Sequence, residues 1–360
     1  MRKKHLQLAL LLVTASLWAV AQESSSRISH VKGEWVEEVT GTLAAGKTVK
    51  VKTQAGPISL LGGPQNTVTY TIHKHVHAAS EGAARHELSR LHIVTYTTGN
   101  TTIIRSEGED STHGFIDFDV HVPSQTSFVK LETNGGAIHL DEIGGSIFAS
   151  SGGGDIGIGK VGGDVHVETG GGAIQIGSAG GQVVASSGGG TLMIGAGSNM
   201  KLDTGGGSIN VSKCTGAVKA STGGGSIELR NVGGTAQVQT GGGSIRVLSA
   251  HGGIRAETGG GAIVAELSAD REAFTDSRLE TPTGDIIVYI PEGLGVNIQA
   301  AVEVAQGEGI LTEFQELKIT RGNEKWGPRE TYAQGSLNGG GPVLHVHTTD
   351  GHIEFRRKKQ

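Results

Sequence analysis

Cysteine is all but missing from this chain: Cys214 is the only one in 360 residues. A lone cysteine closes no intramolecular disulfide, so the fold must rest on packing and backbone pairing. Proline numbers 7, and with no period of three this excludes a collagen triple helix. Aromatic residues make up 4%, too few for a conventional globular core of this length; a stacked aliphatic core tolerates the shortage. Beyond the N-terminus no stretch is apolar enough to span a membrane. There is no patterned acid pair, no Ser/His/Asp set and no nucleophile elbow. The residues therefore name no catalytic, cofactor-binding or metal site, and the expectation is a chain that is not an enzyme.

The N-terminus reads as a secretory signal. Arg2, Lys3 and Lys4 form a basic start, residues 6–20 an apolar run, and Ala19-Val20-Ala21 a small-x-small cleavage site that leaves Gln22 first. The run falls short of the ~20 residues a span needs, and no cysteine follows it to take a lipoprotein anchor. Removing residues 1–21 takes away three basic groups and no acid, so the formal charge of −5 becomes −8. That argues against nucleic acid as a general partner. The expected location is the periplasm, the outer-membrane surface or the extracellular space.

Glycine, by contrast, is abundant, at 61 residues where ~7% is usual, and it is not scattered. Thr204-Gly205-Gly206-Gly207-Ser208-Ile209 returns from Thr222, Thr240 and Thr258. Looser copies start at Ser151, Thr169 and Ser187, and Asn134-Gly135-Gly136 opens the series. Across residues 131–268 the first glycines are 17 or 18 residues apart, a fixed period that marks a repeat architecture. A second turn falls midway, as at Gly162-Gly163, Gly180-Gly181 and Gly233-Gly234, so each unit splits into two halves of about nine. A hexapeptide helix would repeat its apolar residue six on, but Thr215 and Ser221 stand at those places. Within each half Ile209 and Val211, then Val218 and Ala220, alternate with polar neighbours, giving one dry and one wet face.

These features predict a coil of about 18 residues whose equivalent strands pair in parallel, ~4.8 Å apart. Glycine is expected to let two corners per coil reach φ > 0, and stacked glycines to let adjacent turns approach closely. The Ser or Thr before each triple glycine is expected to satisfy turn amides. Cys214 is expected at a corner, half-buried.

Around the repeat the chain is less regular. Residues 22–130 read as a β-rich capping part, with a helix near 81–91 carried by Ala84, Leu88 and Leu91 at helical spacing. Residues 269–360 read as irregular coils and a cap. In them Thr281-Pro282-Thr283-Gly284-Asp285-Ile286 is a worn copy, residues 321–333 are a polar loop, and Gly351-His352-Ile353 resumes the pattern.

Several motifs tempt. Residues 41–48 match the phosphate-loop pattern, but Lys47 leads into an alternating strand and not a helix. Gly157-Ile158-Gly159-Lys160-Val161-Gly162 matches GxGxxG where glycine is everywhere and no helix follows. Calcium-binding nonapeptide rolls need an Asp in every turn, whereas Asp155, Asp164 and Asp285 are isolated. His73, His75 and His77 alternate on one strand face, as do His345 and His347; a surface metal site is conceivable, but exposed strand histidines are the expectation. Lys201, Lys219 and Arg255 share an outer ladder position. This basic stripe suits an anionic polysaccharide or is simply a solvated face.

The turn Gln54-Ala55-Gly56-Pro57-Ile58, the strand over residues 115–123, Glu132-Thr133-Asn134-Gly135-Gly136-Ala137-Ile138, the TGGGSI coils and the closing Gly351-His352-Ile353 together resemble the bacterial putative-adhesin family of exported β-strand-repeat proteins. The resemblance covers nearly all of residues 30–356. It implies a right-handed parallel β-solenoid on or near the cell surface and carries over no catalytic residue. The resulting expectation is an all-β, non-enzymatic envelope or surface protein acting in adhesion, scaffolding or self-association. Its partner would be envelope polysaccharide, another surface or membrane protein, or itself. The rivals are a polysaccharide-processing β-helix enzyme and a periplasmic stress or signalling accessory.

Overall fold

The computed structural model describes residues 24–107, 114–268, 273–305, 308–322 and 329–358; the expected signal peptide over residues 1–21 lies outside them. The chain winds as a β-solenoid whose coils each give one strand to either of two sheets, and each sheet holds sixteen strands. In the repeat, Ile209–Cys214 lies in the first sheet and Val218–Thr222 in the second. Aliphatic residues stack on aliphatic residues: Ile209 pairs with Ile227 and Val211 with Leu229. Their inward side chains join one continuous aliphatic column running from Leu43 to Phe355. Burying such chains supplies ~1.5–3 kcal/mol each before chain entropy, which is how a fold with so few aromatics holds together.

One of the two 17-residue intervals is only apparent. Asn134 stands where later coils have their first glycine, so Thr133 and Ser151 still pair 18 apart. The other is real: Val183 pairs with Met200, and the residue is lost in the midway turn at Ser198-Asn199.

The triple glycines correct the expectation about φ. Within residues 131–268 none of them lies in the left-handed region; outside that stretch Gly56, Gly284, Gly339 and Gly340 do. Their cause is the neighbouring coil. A Cβ on Gly223 would stand 2.2 Å from the carbonyl oxygen of Gly205, and one on Gly225 2.1 Å from that of Gly207. The middle glycine, Gly224, has open space around it.

The hydroxyls ahead of the glycines are buried and bind twice. Thr222 donates to the Gly207 carbonyl at 2.8 Å and accepts from the Gly225 amide at 3.3 Å. Ser151, Thr169, Ser187, Thr204, Thr240 and Thr258 repeat the arrangement. The expected turn-amide role is there, and each hydroxyl also ties its coil to the one before.

Chain order and stacking order part company at both ends. Val343–Asp350 slots between Ser277–Thr283 and Val296–Ala305 in the second sheet. Ile353–Arg357 slots between Ile286–Ile290 and Ile310–Thr312 in the first. The C-terminal coil therefore lies inside the stack. The N-terminal coil does the same: Thr48–Thr53 lies between Thr101–Glu107 and Phe128–Thr133. Ser80 caps the helix Glu81–Arg90, which buries Ala84 and Leu88. The described part of the expected loop over 321–333 is largely sheet: Arg329–Leu337 pairs antiparallel with Val296–Ala305 and with Lys318–Arg321, and residues 323–328, with Trp326 and Pro328, lie outside the described residues.

Candidate binding groove on the second sheet

The isolated motifs resolve into structural roles. Residues 41–48 run from the strand Glu34–Ala44 into Thr48–Thr53, with no helix start. Gly46 is required there because a Cβ would stand 2.4 Å from the Asn100 carbonyl oxygen. Asp155, Asp164 and Asp285 each accept a backbone amide of the next coil in the stack, from Ala173, Gln182 and His352 at 2.7, 2.8 and 2.9 Å. Cys214 is buried, not half-buried, at the fifth inward position of its coil, where the next coil places Val232. Its thiol donates to the Ser198 carbonyl at 2.8 Å, and burial pushes its pKa up.

The histidine row departs from the expected exposed trio. Antiparallel pairing sets His75 beside Phe115 and His73 beside Asp117. The His75 ring lies flat on Phe115, with centroids 4.5 Å apart. Its Nδ1 is 3.3 Å from a Glu34 oxygen and its Nε2 3.3 Å from Asp117 Oδ2. His77 reaches Glu34 at 3.3 Å and His73 reaches Glu38 at 3.5 Å. Burial pushes the Asp117 carboxyl up, opposed by the charges of His75 and His73. Among the described residues no three His, Cys, Asp or Glu side chains converge as metal ligands.

The basic stripe leads somewhere. Lys201 and Lys219 pair, Lys219 pairs with Gln237, and Gln237 with Arg255. The same outer row continues through Arg278, His345, Gln299 and Gln334. Two residues further along each strand runs a second outer row: Gln239, Glu257, Glu280, His347, Ala301 and Tyr332. Between His347 and Tyr332 the row drops to the single methyl of Ala301, which leaves a hollow of about 500 Å³ walled by Tyr332, His347 and Gln299. A second hollow of about 390 Å³ adjoins it over Gln239, Glu257 and Pro282, sharing Glu280 and His347. The two form a groove along the solenoid axis, across six strands and roughly 24 Å.

Charge in the groove is largely paired off. Arg278 binds Glu280 at 2.8 Å and His347 lies 3.0 Å from Glu303. The Tyr332 hydroxyl donates to Glu330, and that bond pushes the phenol pKa up. Tyr332 is 47% exposed. Glu257 and Glu280 stand on paired positions of neighbouring strands, the one place in the groove where two acids meet.

The sequence reading placed the basic stripe and His345 and His347 but missed Tyr332, Gln334 and Gln299 as a site. The strand that carries Tyr332 alternates, but its buried positions include Thr331 and Ala333, which leave a weak hydrophobic pattern.

No protein-family model and no curated protein matches the chain. Solved structures that align with it include a putative cell adhesion protein from Clostridium sporogenes, 9% identical, covering 94% of this chain and 100% of that one with a TM-score of 0.17. A putative adhesin from Parabacteroides distasonis is 11% identical, with 92% and 100% covered and a TM-score of 0.37. One from Bacteroides fragilis is 12% identical, with 89% and 97% covered and a TM-score of 0.30. At such identities and scores the likenesses assign nothing to this chain. Among the described residues no helix is long and apolar enough to cross a membrane.

Proposed function

We propose that this chain is a non-enzymatic exported protein of the cell envelope or surface, serving adhesion or scaffolding through its outer ladders. The observation that carries this reading is the axial groove. It is an open, solvated surface whose charged groups are tied to one another, so it suits holding a partner more than transforming one. Self-association by stacking of coil ends is less well supported. The second sheet ends in antiparallel strands, His92–Thr98 at one end and Lys318–Arg321 at the other. The first sheet ends at its C-terminal side in Ile310–Thr312, an edge of three residues. So short an edge resists pairing with another chain, which leaves Ser24–Val31, eight residues long at the other side of that sheet, as its longer edge.

The paired Glu257 and Glu280 are the observation that favours the rival, a polysaccharide-processing enzyme. Against it, Glu257 is exposed and Glu280 is bound to Arg278. A general acid for glycoside cleavage needs a dry setting that raises its pKa. The test is cell fractionation with protease shaving of intact cells, followed by a whole-cell pull-down with the mature chain. Cleavage by external protease and retention on cells support the reading. Full protection of the chain in intact cells overturns it.

A further inference from the structure

We infer that the axial groove of the second sheet binds a linear, neutral polysaccharide lying along the solenoid, with Tyr332 as its anchor; this deepens the adhesion reading and rests on it. Gln299 and Gln334 pair side by side, and each primary amide offers two donors and an acceptor. Sugar hydroxyls both donate and accept, so they match amides and histidines better than rows of like charge do. The Tyr332 ring is large and exposed next to those amides, an apolar face with a polar tip. Such a face packs on the C–H side of a pyranose ring.

Ala301 makes the fit possible. It pairs with both His347 and Tyr332, so the smallest outward side chain of the row sits beside the largest. A long side chain there would fill the space over the ring. A second hollow adjoins the first at Glu280 and His347 and extends over Gln239 and Glu257, so the two in line suit a chain better than a single sugar.

The charges select against a polyanion. Arg278 is neutralised by Glu280 and His347 faces Glu303. Lys201, Lys219 and Arg255 lie further along the row, but Asp203 and Glu257 flank them on the second row. A polyanion would meet a carboxylate beside Lys201, Arg255 and Arg278; only Lys219, with Ser221 two residues on, is clear of one.

Affinity gel electrophoresis of the mature chain tests the inference. The probes are mannan, galactomannan, xylan and mixed-linkage β-glucan, with polygalacturonate as the polyanionic arm. At least one neutral polysaccharide should retard the chain equally in low and high salt, since no net charge attraction is screened. Tyr332→Ala should weaken that retardation about tenfold or more, as truncating an aromatic anchor removes at least ~1.4 kcal/mol. Ala301→Trp, which fills the hollow, should do the same. Tyr96→Ala, at the exposed tyrosine near the other end of the sheet, should change nothing. If Tyr332→Ala unfolds, judged by circular dichroism, Ala301→Trp and Gln334→Ala carry the test. Retardation by no neutral polysaccharide, retardation by polygalacturonate alone and only at low salt, or equal loss with Tyr96→Ala overturns the inference. Surface exposure in the shaving experiment is read separately, so a failed groove leaves the location of the chain standing or falling on its own result.

Discussion

Three adjacent glycines offer a sharp test of why the corners are built as they are. At Gly223 and Gly225 an added Cβ would stand 2.2 and 2.1 Å from carbonyl oxygens of the coil beneath. Those oxygens belong to backbone that is itself hydrogen-bonded between coils, as where the Gly223 amide donates to Thr204 at 3.2 Å. Relieving the contact means prising two coils apart by more than an ångström. Overpacking against mobile side chains costs about 1–3 kcal/mol, and a backbone obstacle belongs at the upper end. At Gly224 a Cβ meets nothing and φ is not left-handed. Alanine there restricts the unfolded chain and should stabilise by about 0.4–1 kcal/mol. Neighbouring positions should thus differ by about 2–4 kcal/mol in stability and in sign. Urea unfolding of Gly223→Ala, Gly224→Ala and Gly225→Ala reads this directly, with the midpoint falling for the outer two and rising or holding for the middle one. If Gly224→Ala falls as far as Gly225→Ala, the stacked carbonyl is not the reason for the glycine.

Other consequences follow from the same geometry. Thr222→Val keeps the volume but strands the Gly207 carbonyl and the Gly225 amide, at about 1–3 kcal/mol for each buried group left unpaired; Thr222→Ser loses only a methyl, about 0.8 kcal/mol. Chemical denaturation should therefore rank Ser above Val, and the reverse ranking would deny the hydroxyl its role. Cys214, buried and with its pKa raised, should resist alkylation by iodoacetamide at pH 8 in the folded chain and react fully once unfolded. Asp117 should titrate above the ordinary aspartate value by NMR, since burial disfavours its charged form. The sign follows: with the folded-state pKa above the unfolded one, its contribution to stability falls as pH rises through that interval. Asp117→Asn should flatten that part of the pH profile.

The solenoid could be read in advance because its period is local and repeated. Ile209, Val211, Val218 and Ala220 recur with glycine at fixed offsets, and each coil contacts only its neighbours. The position of the last coil could not be read that way. Nothing near Val343 or Ile353 says that they slot between strands 277–283 and 296–305, or between 286–290 and 310–312, because pairing between distant segments leaves no local mark. The groove was half legible for a related reason. Its repeat-borne members, Arg255 and Glu257, lie at ladder positions that the period predicts. Tyr332 lies on a strand that pairs antiparallel and buries Thr331 and Ala333, so its alternation is weak in hydrophobicity. Of the two reasons the sequence offers for the glycine corners, the close approach of stacked turns holds, with a carbonyl 18 residues away as the constraint, and the left-handed φ does not.

The account's central claim is that the groove holds a glycan without cleaving it. The most direct measurement incubates the mature chain with the neutral polysaccharide that retards it and follows both retention and new reducing ends over hours. The expected result is retention that Tyr332→Ala abolishes, with no reducing ends above those of the polysaccharide alone. Reducing ends that accumulate with the chain and vanish with Glu257→Gln or Glu280→Gln would contradict it and establish the groove as an active site.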